Sequence, residues 1–272
     1  MNSSLAAETP IGDIVTAWPR LLRLMDENRL DYCCRGRDSL AAACGRAGVR
    51  VEDVLAEAAS VIAAGTPDEQ EVPETMTSLC DLIESKHHAY VRGAFARLAP
   101  LVARVTGAHG ADHPELLAVA EVIDGLREEM LDHMVREERV LFPWLRRLEQ
   151  PGAIHSGPPW SVKRPIDCMV HDHDAVSLAF QRLRALTNQY TIPADTCNSV
   201  AALMAELREL EHDTRRHIHL ENNILFPAGV RAEVGYLHRA ATRDTGRCDH
   251  SGCGSHACAS AASKSSSTSS DR

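Results

Sequence analysis

HMVREERVLFP (133–143) and HIHLENNILFP (217–227) spell one pattern twice, H-x-x-x-E-x-x-x-L-F-P. Residues four apart share a helix face, so His133 points the same way as Glu137, and His217 the same way as Glu221. Leu141 and Leu225 carry each stripe onward into a core. Pro143 and Pro227 stand where a proline usually bends or ends a helix. A lone His–Glu pair of this kind is commonly a satisfied histidine on an amphipathic helix. Two copies with one continuation are different, because burying imidazole and carboxylate is costly unless they are paired or hold a metal.

Upstream of each copy lies another histidine-bearing segment, His87 and His88 before the first, His171 and His173 before the second. His88 precedes His133 by 45 residues and His173 precedes His217 by 44, so the chain reads as two equivalent halves. Each half supplies one helix with a single histidine and one with H-x-x-x-E, the way carboxylate-bridged di-metal sites are built inside four-helix bundles. Adjacent His87 and His88 face about 100° apart, and His171 and His173 about 200°, so one of each pair faces the core and spacing does not choose. His109, where the first helix ends in VTGAHGADHP, could fold back as a further ligand. His113, His155, His212, His219 and His238 read as solvent or rim residues. Imidazole with carboxylate and no thiolate favours iron, then manganese, over a structural zinc.

The surrounding pattern predicts helices over 75–106, 114–148, 163–189 and 196–229, broken by GAHGADHP, QPGAIHSGPP and TIPADT, with no strand alternation. The expected fold is all-α: an up-down-up-down four-helix bundle over 75–232. A small helical domain over 1–66 precedes it and a linker over 67–74 joins the two. Residues 240–272 are expected to be a disordered tail, in which Cys248, His250, Cys253, His256 and Cys258 could hold a soft metal loosely. Aromatics make up only 4% of the 272 residues, which suits helical packing. A net charge of −9 argues against nucleic acid. No apolar run approaches the roughly 20 residues that cross a bilayer, and no signal segment opens the chain. A cytoplasmic protein is therefore expected, its nine cysteines thiols or ligands rather than a disulfide framework. In DYCCRGR, the flanking Arg35 and Arg37 are expected to lower the thiol pKa of Cys33 and Cys34 and make them reactive. Cys44, Cys80, Cys168 and Cys197 read as packing residues.

Taken together, DYCCRG, H-x-x-x-R (His88 to Arg92), VTGAHGADHPEL, HMVREERVLFP, PIDCMVHDHD and HIHLENNILFP resemble the iron–sulfur cluster repair di-iron proteins, also described as regulators of cell morphogenesis and nitric oxide signalling. The resemblance spans residues 11 to about 230. It implies a hemerythrin-like bundle holding two non-haem irons, with manganese or zinc as lesser alternatives. The ligand set it implies is His88, His109, His133, Glu137, His173, His217 and Glu221, both glutamates bridging. It also implies a thiol, redox or iron-handover role for Cys33 and Cys34. The implied function is repair of clusters damaged by nitrosative or oxidative stress. A protein that binds or senses nitric oxide or oxygen, and a nitric oxide reductase, need the same ligands. Damaged iron–sulfur proteins are the implied partners, and a homodimer is allowed. Oxygen-carrying hemerythrins look for a histidine four residues beyond that of helix three; here Ser177 stands there, which implies a more open site.

Overall fold

The computed structural model describes residues 5–65, 72–150, 161–192 and 197–245. The leading unit contains α1 (Ile11–Ala17), a 3₁₀ turn (Pro19–Leu21), α2 (Leu22–Glu27), α3 (Leu40–Ala47) and α4 (Val51–Ala63). Ser39 caps α3 by accepting from the Ala42 N–H, and Gly48 ends it with a left-handed φ of 72°.

Four long helices follow. α5 joins Met76–Leu82, Ile83–His88 and Ala89–His109; α6 joins Glu115–Arg136, Glu137–Leu141 and Phe142–Glu149; α7 is Lys163–Leu186; α8 joins Asn198–His219, Leu220–Leu225 and Phe226–Thr245. α5 packs on both α8 and α6, and α6 on α7, closing an up-down-up-down bundle. The middle pieces of α5, α6 and α8 are π-helical turns, which the periodicity did not anticipate. They explain why the two LFP prolines end nothing. A proline lacks an N–H and clashes with the carbonyl four residues back. Here Pro143 and Pro227 each follow a π turn, where the wider winding relieves that clash, and the helix runs on. α8 accordingly reaches Thr245, well past the expected end near 229 and into the stretch expected to be a disordered tail. The Cys/His cluster beyond it, His155 and the side chain of His238 lie outside the described residues.

Two apolar clusters sandwich the middle of the bundle. One holds Val91, Met134, Val176 and Ile218 and continues without a break into Ile11, Ile14 and Tyr32 of the leading unit. The other holds Ile83, Leu141, Met169 and Leu225. The repeat histidines and glutamates occupy the layer between them. The leading unit is thus docked on the bundle through a shared core, against the π turn of α8. Among the described residues no helix is long and apolar enough to cross a membrane.

Candidate metal centre

Six buried side chains converge in that layer. His88, Glu137, His217 and Glu221 form one set whose ligand atoms all lie within 4.8 Å of one another; His133, Glu137, His173 and Glu221 form a second. The two sets share both glutamates. Glu137 Oε2 lies 3.3 Å from both His88 Nε2 and His133 Nε2. Glu221 Oε1 lies 3.0 Å from His217 Nε2, and its Oε2 3.1 Å from His173 Nε2. Within each set the imidazole nitrogens face each other at 3.2 Å. That spacing suits neighbouring ligands on one ion, since two nitrogens about 2.1 Å from a metal stand about 3.0–3.4 Å apart. The π turns begin at or contain His88, Glu137 and Glu221, and such turns are frequent where a helix must re-aim a functional side chain.

Both glutamates are 0% exposed, and none of their four oxygens meets the geometry of a hydrogen bond. Buried carboxylates in that condition need positive charge from another source. The imidazoles supply part of it. Burial works against the charged form of His133, yet Glu137 and Asp172 outweigh it and raise its pKa to about 10. Burial also opposes ionisation of Glu221, but His217 and His173 hold its carboxyl well below the usual range. His217 itself is lowered, burial dominating. The donor set is nitrogen and oxygen without sulfur, so the residues fit a non-haem metal centre.

The outer partners fix which imidazole nitrogen faces inward. His88 Nδ1 is 2.7 Å from Glu138, which also takes Arg92; His133 Nδ1 is 3.2 Å from Asp172, which also takes Arg136; His173 Nδ1 is 3.0 Å from Asn222 Oδ1. A metal-bound imidazole almost always hands its other N–H to such a group. Sequence reading missed Glu138 and Asn222, although their positions, one residue past each shared glutamate, repeat in both motifs. The adjacent histidines are resolved by geometry. His88 enters the layer, while buried His87 turns away to Asp213 at 2.9 Å and stacks on His217. His173 enters, and His171 is exposed.

His109 does not join them. It ends a helical run of 21 residues that begins just after His88, which places it about 30 Å along the axis. There its Nε2 sits 3.1 Å from Cys197 Sγ. Cys197 is exposed rather than a packing residue, and His109 with the first backbone N–H groups of α8 lowers its pKa to about 6. Cys168 is exposed too, whereas Cys44 and Cys80 are buried in the cores. His219, expected at the rim, is buried at the docking surface between Asn223 and Tyr32, and burial lowers its pKa to about 4.

The expectation of activated thiols at Cys33 and Cys34 also needs correction. Cys33 is 3% exposed, and Cys34 lies with its Sγ 3.8 Å from the His173 carbonyl. The Cys34 thiol is pushed up by its hydrogen bond with Cys33, by burial and by Asp31 and Asp174. Exposed Arg35 turns to Asp38 instead.

Residues 83–228 match the model of the hemerythrin HHE cation-binding domain, and residues 7–61 match a domain of unknown function, DUF542. The chain is 30% identical over 223 residues to the iron–sulfur cluster repair protein YtfE of Yersinia pestis (strain Pestoides F), covering 82% of this chain and 97% of that one. It is similarly 30% identical over 224 residues to the YtfE of Yersinia pseudotuberculosis serotype O:1b (strain IP 31758), with the same coverage.

Proposed function

The chain belongs to the hemerythrin HHE cation-binding family, among the iron–sulfur cluster repair proteins, and on that premise we propose that it holds two non-haem iron ions and donates iron to clusters damaged by nitrosative or oxidative stress. The observation that carries this is the pair of fully buried carboxylates, Glu137 and Glu221, shared between two histidine pairs. His88 and His217 hold one ion and His133 and His173 the other. When bound, the pair would supply redox-active iron able to take a small ligand such as nitric oxide or oxygen.

Several features support release as well as binding. Each ion would draw on two imidazoles and two shared carboxylates, a set of four protein residues. Ser177 stands where a further imidazole would add to the second set, and it lines the cleft beside the leading unit. The acceptors are damaged iron–sulfur proteins, met in the cytoplasm, and Cys33 and Cys34 take part in handover.

Metal analysis and Mössbauer spectroscopy of anaerobically purified protein should find two irons per chain. Glu137→Leu or Glu221→Leu should leave at most one; two irons in either variant would refute the bridging assignment. Incubation with an apo iron–sulfur enzyme should restore its activity as iron leaves the bundle. Stoichiometric nitrosyl formation with no transfer would instead make the protein a nitric oxide binder, and steady turnover to nitrous oxide a reductase.

A further inference from the structure

We propose that Asp31, Cys33 and Cys34 form a second metal site, a thiolate–carboxylate port that takes one divalent ion at the edge of the docking surface. The site itself stands on its own geometry; its use as a way-station for iron rests on the donation proposed above.

The three residues bring their ligand atoms within 4.8 Å of one another. The two Sγ atoms are 3.9 Å apart, and Cys33 Sγ is 3.3 Å from Asp31 Oδ1. Two thiolates about 2.3 Å from a tetrahedral ion stand about 3.8 Å apart, so this spacing is that of one coordination edge. A disulfide is the rival use of a cysteine pair, and the backbone opposes it. Adjacent Cα atoms lie about 3.8 Å apart, short of the roughly 4.4–6.8 Å that disulfides span. The turn is held ready: Asp31 Oδ1 accepts from the Cys34 N–H at 3.0 Å, while Asn222 and Asn223 both donate to the Cys33 carbonyl.

Position gives the port its use. Asp31 and Cys33 line a cleft of about 930 Å³ between the leading unit and the bundle, the side from which an ion would enter. On the inner side, Cys34 Sγ touches the carbonyl of His173, and Asn222 links the Cys33 carbonyl to His173 Nδ1. The port therefore abuts the backbone of a residue whose imidazole belongs to the metal centre. Asp31 and Asp174 place negative charge around the turn, which favours a cation there. Entry of one divalent ion would displace one proton from each thiol to solvent, with no change of oxidation state.

Cadmium is a suitable probe, because a cadmium thiolate absorbs in the ultraviolet and imidazole–carboxylate sites do not. The iron-loaded full chain is titrated with Cd²⁺ under reducing conditions. A variant carrying Cys168→Ser, Cys197→Ser, Cys248→Ser, Cys253→Ser and Cys258→Ser removes the exposed thiols and those of the tail and should keep a band that saturates at one equivalent. Adding Cys33→Ser or Cys34→Ser should abolish it, and Asp31→Asn should weaken binding about tenfold. Absence of the band in that five-serine variant, or its persistence after either further serine substitution, overturns the site. Bundle iron, measured in the same samples, should stay unchanged. Iron transfer to an apo acceptor should slow about tenfold in Cys33→Ser; an unchanged rate overturns the way-station. A wild-type chain that binds cadmium at the port yet donates no iron refutes donation and leaves the site standing.

Discussion

Asn222→Ala tests whether the leading unit and the metal centre are joined. The amide is placed so that one end serves each: Oδ1 meets His173 Nδ1 at 3.0 Å, and Nδ2 donates to the Cys33 carbonyl at 3.3 Å. With Nδ1–H so engaged, His173 Nε2 would keep its lone pair for the ion proposed to sit between it and His133. Losing a partner of this kind typically costs 10–100-fold in metal affinity, or about 1.4–2.7 kcal/mol. Asn222 is partly exposed, so water replaces some of the bond and the lower half of that range is expected. The other ion should suffer less, because His88 is oriented by Glu138 instead. Fold and docking should survive, since Asn223 still donates to the carbonyls of Tyr32 and Cys33 at 3.1 and 3.2 Å. Anaerobic competition against a coloured ferrous chelator should therefore turn biphasic, one iron leaving at about tenfold lower chelator. Asn222→Asp keeps the acceptor for His173 and loses the donor to Cys33, so it should restore metal affinity. Two irons released at wild-type affinity from folded Asn222→Ala would refute the reasoning, as would equal loosening of both.

Three further outcomes follow from other parts of the molecule. Cys197 should be alkylated by iodoacetamide with a half-maximal rate near pH 6, and His109→Ala should move that midpoint up toward the ordinary thiol value of 9.0, read by peptide mass spectrometry. Gly36→Ala would drive a Cβ to 2.7 Å from Asn223 Cγ at the docking surface, at a cost of about 1–3 kcal/mol. The melting temperature should fall by roughly 2–12 °C and Cys33 should become open to thiol reagents. Glu149 accepts from the N–H groups of Met76 and Thr77 at 2.7 and 2.9 Å, tying the start of α5 to the end of α6. Burial opposes its ionisation, but those bonds and the Thr77 hydroxyl depress its carboxyl pKa. Because the folded value lies below the unfolded one, the stability it adds is present above the unfolded value and lost as pH falls through the folded one. Glu149→Gln should flatten the fall of stability with acid that begins as pH drops below the ordinary carboxylate range, and should lower stability at neutral pH by about 1 kcal/mol, the worth of a cap.

The bundle and four of its inward residues, His133, Glu137, His217 and Glu221, were legible because two constraints coincide in the motif: helical period places side chains, and burial of charge demands a reason; His88 and His173 were chosen over their neighbours by resemblance alone. Where only one constraint acted, the sequence misled. His109 was admitted by resemblance, although an unbroken helical reading from 88 to 106 already put it about 27 Å or more from His88. The same misplacement hid Cys197, whose low pKa comes from a residue 88 positions away and from N–H groups at a helix start, neither visible in local composition. The DYCC turn failed in the opposite sense: Arg35 and Arg37 are near in sequence, but the carboxylates of Asp31 and Asp174 are nearer in effect, the second brought there only by docking. Docking also explains the second glycine contact, since Gly12 and Gly36 both lie against Asn223. Thus the paired Asn222 and Asn223 after Glu221, absent from the first copy of the motif, where Glu138 and Arg139 stand, mark the half of the bundle that receives the leading unit. The repeat is symmetric in what it offers a metal and asymmetric in what it offers the rest of the chain.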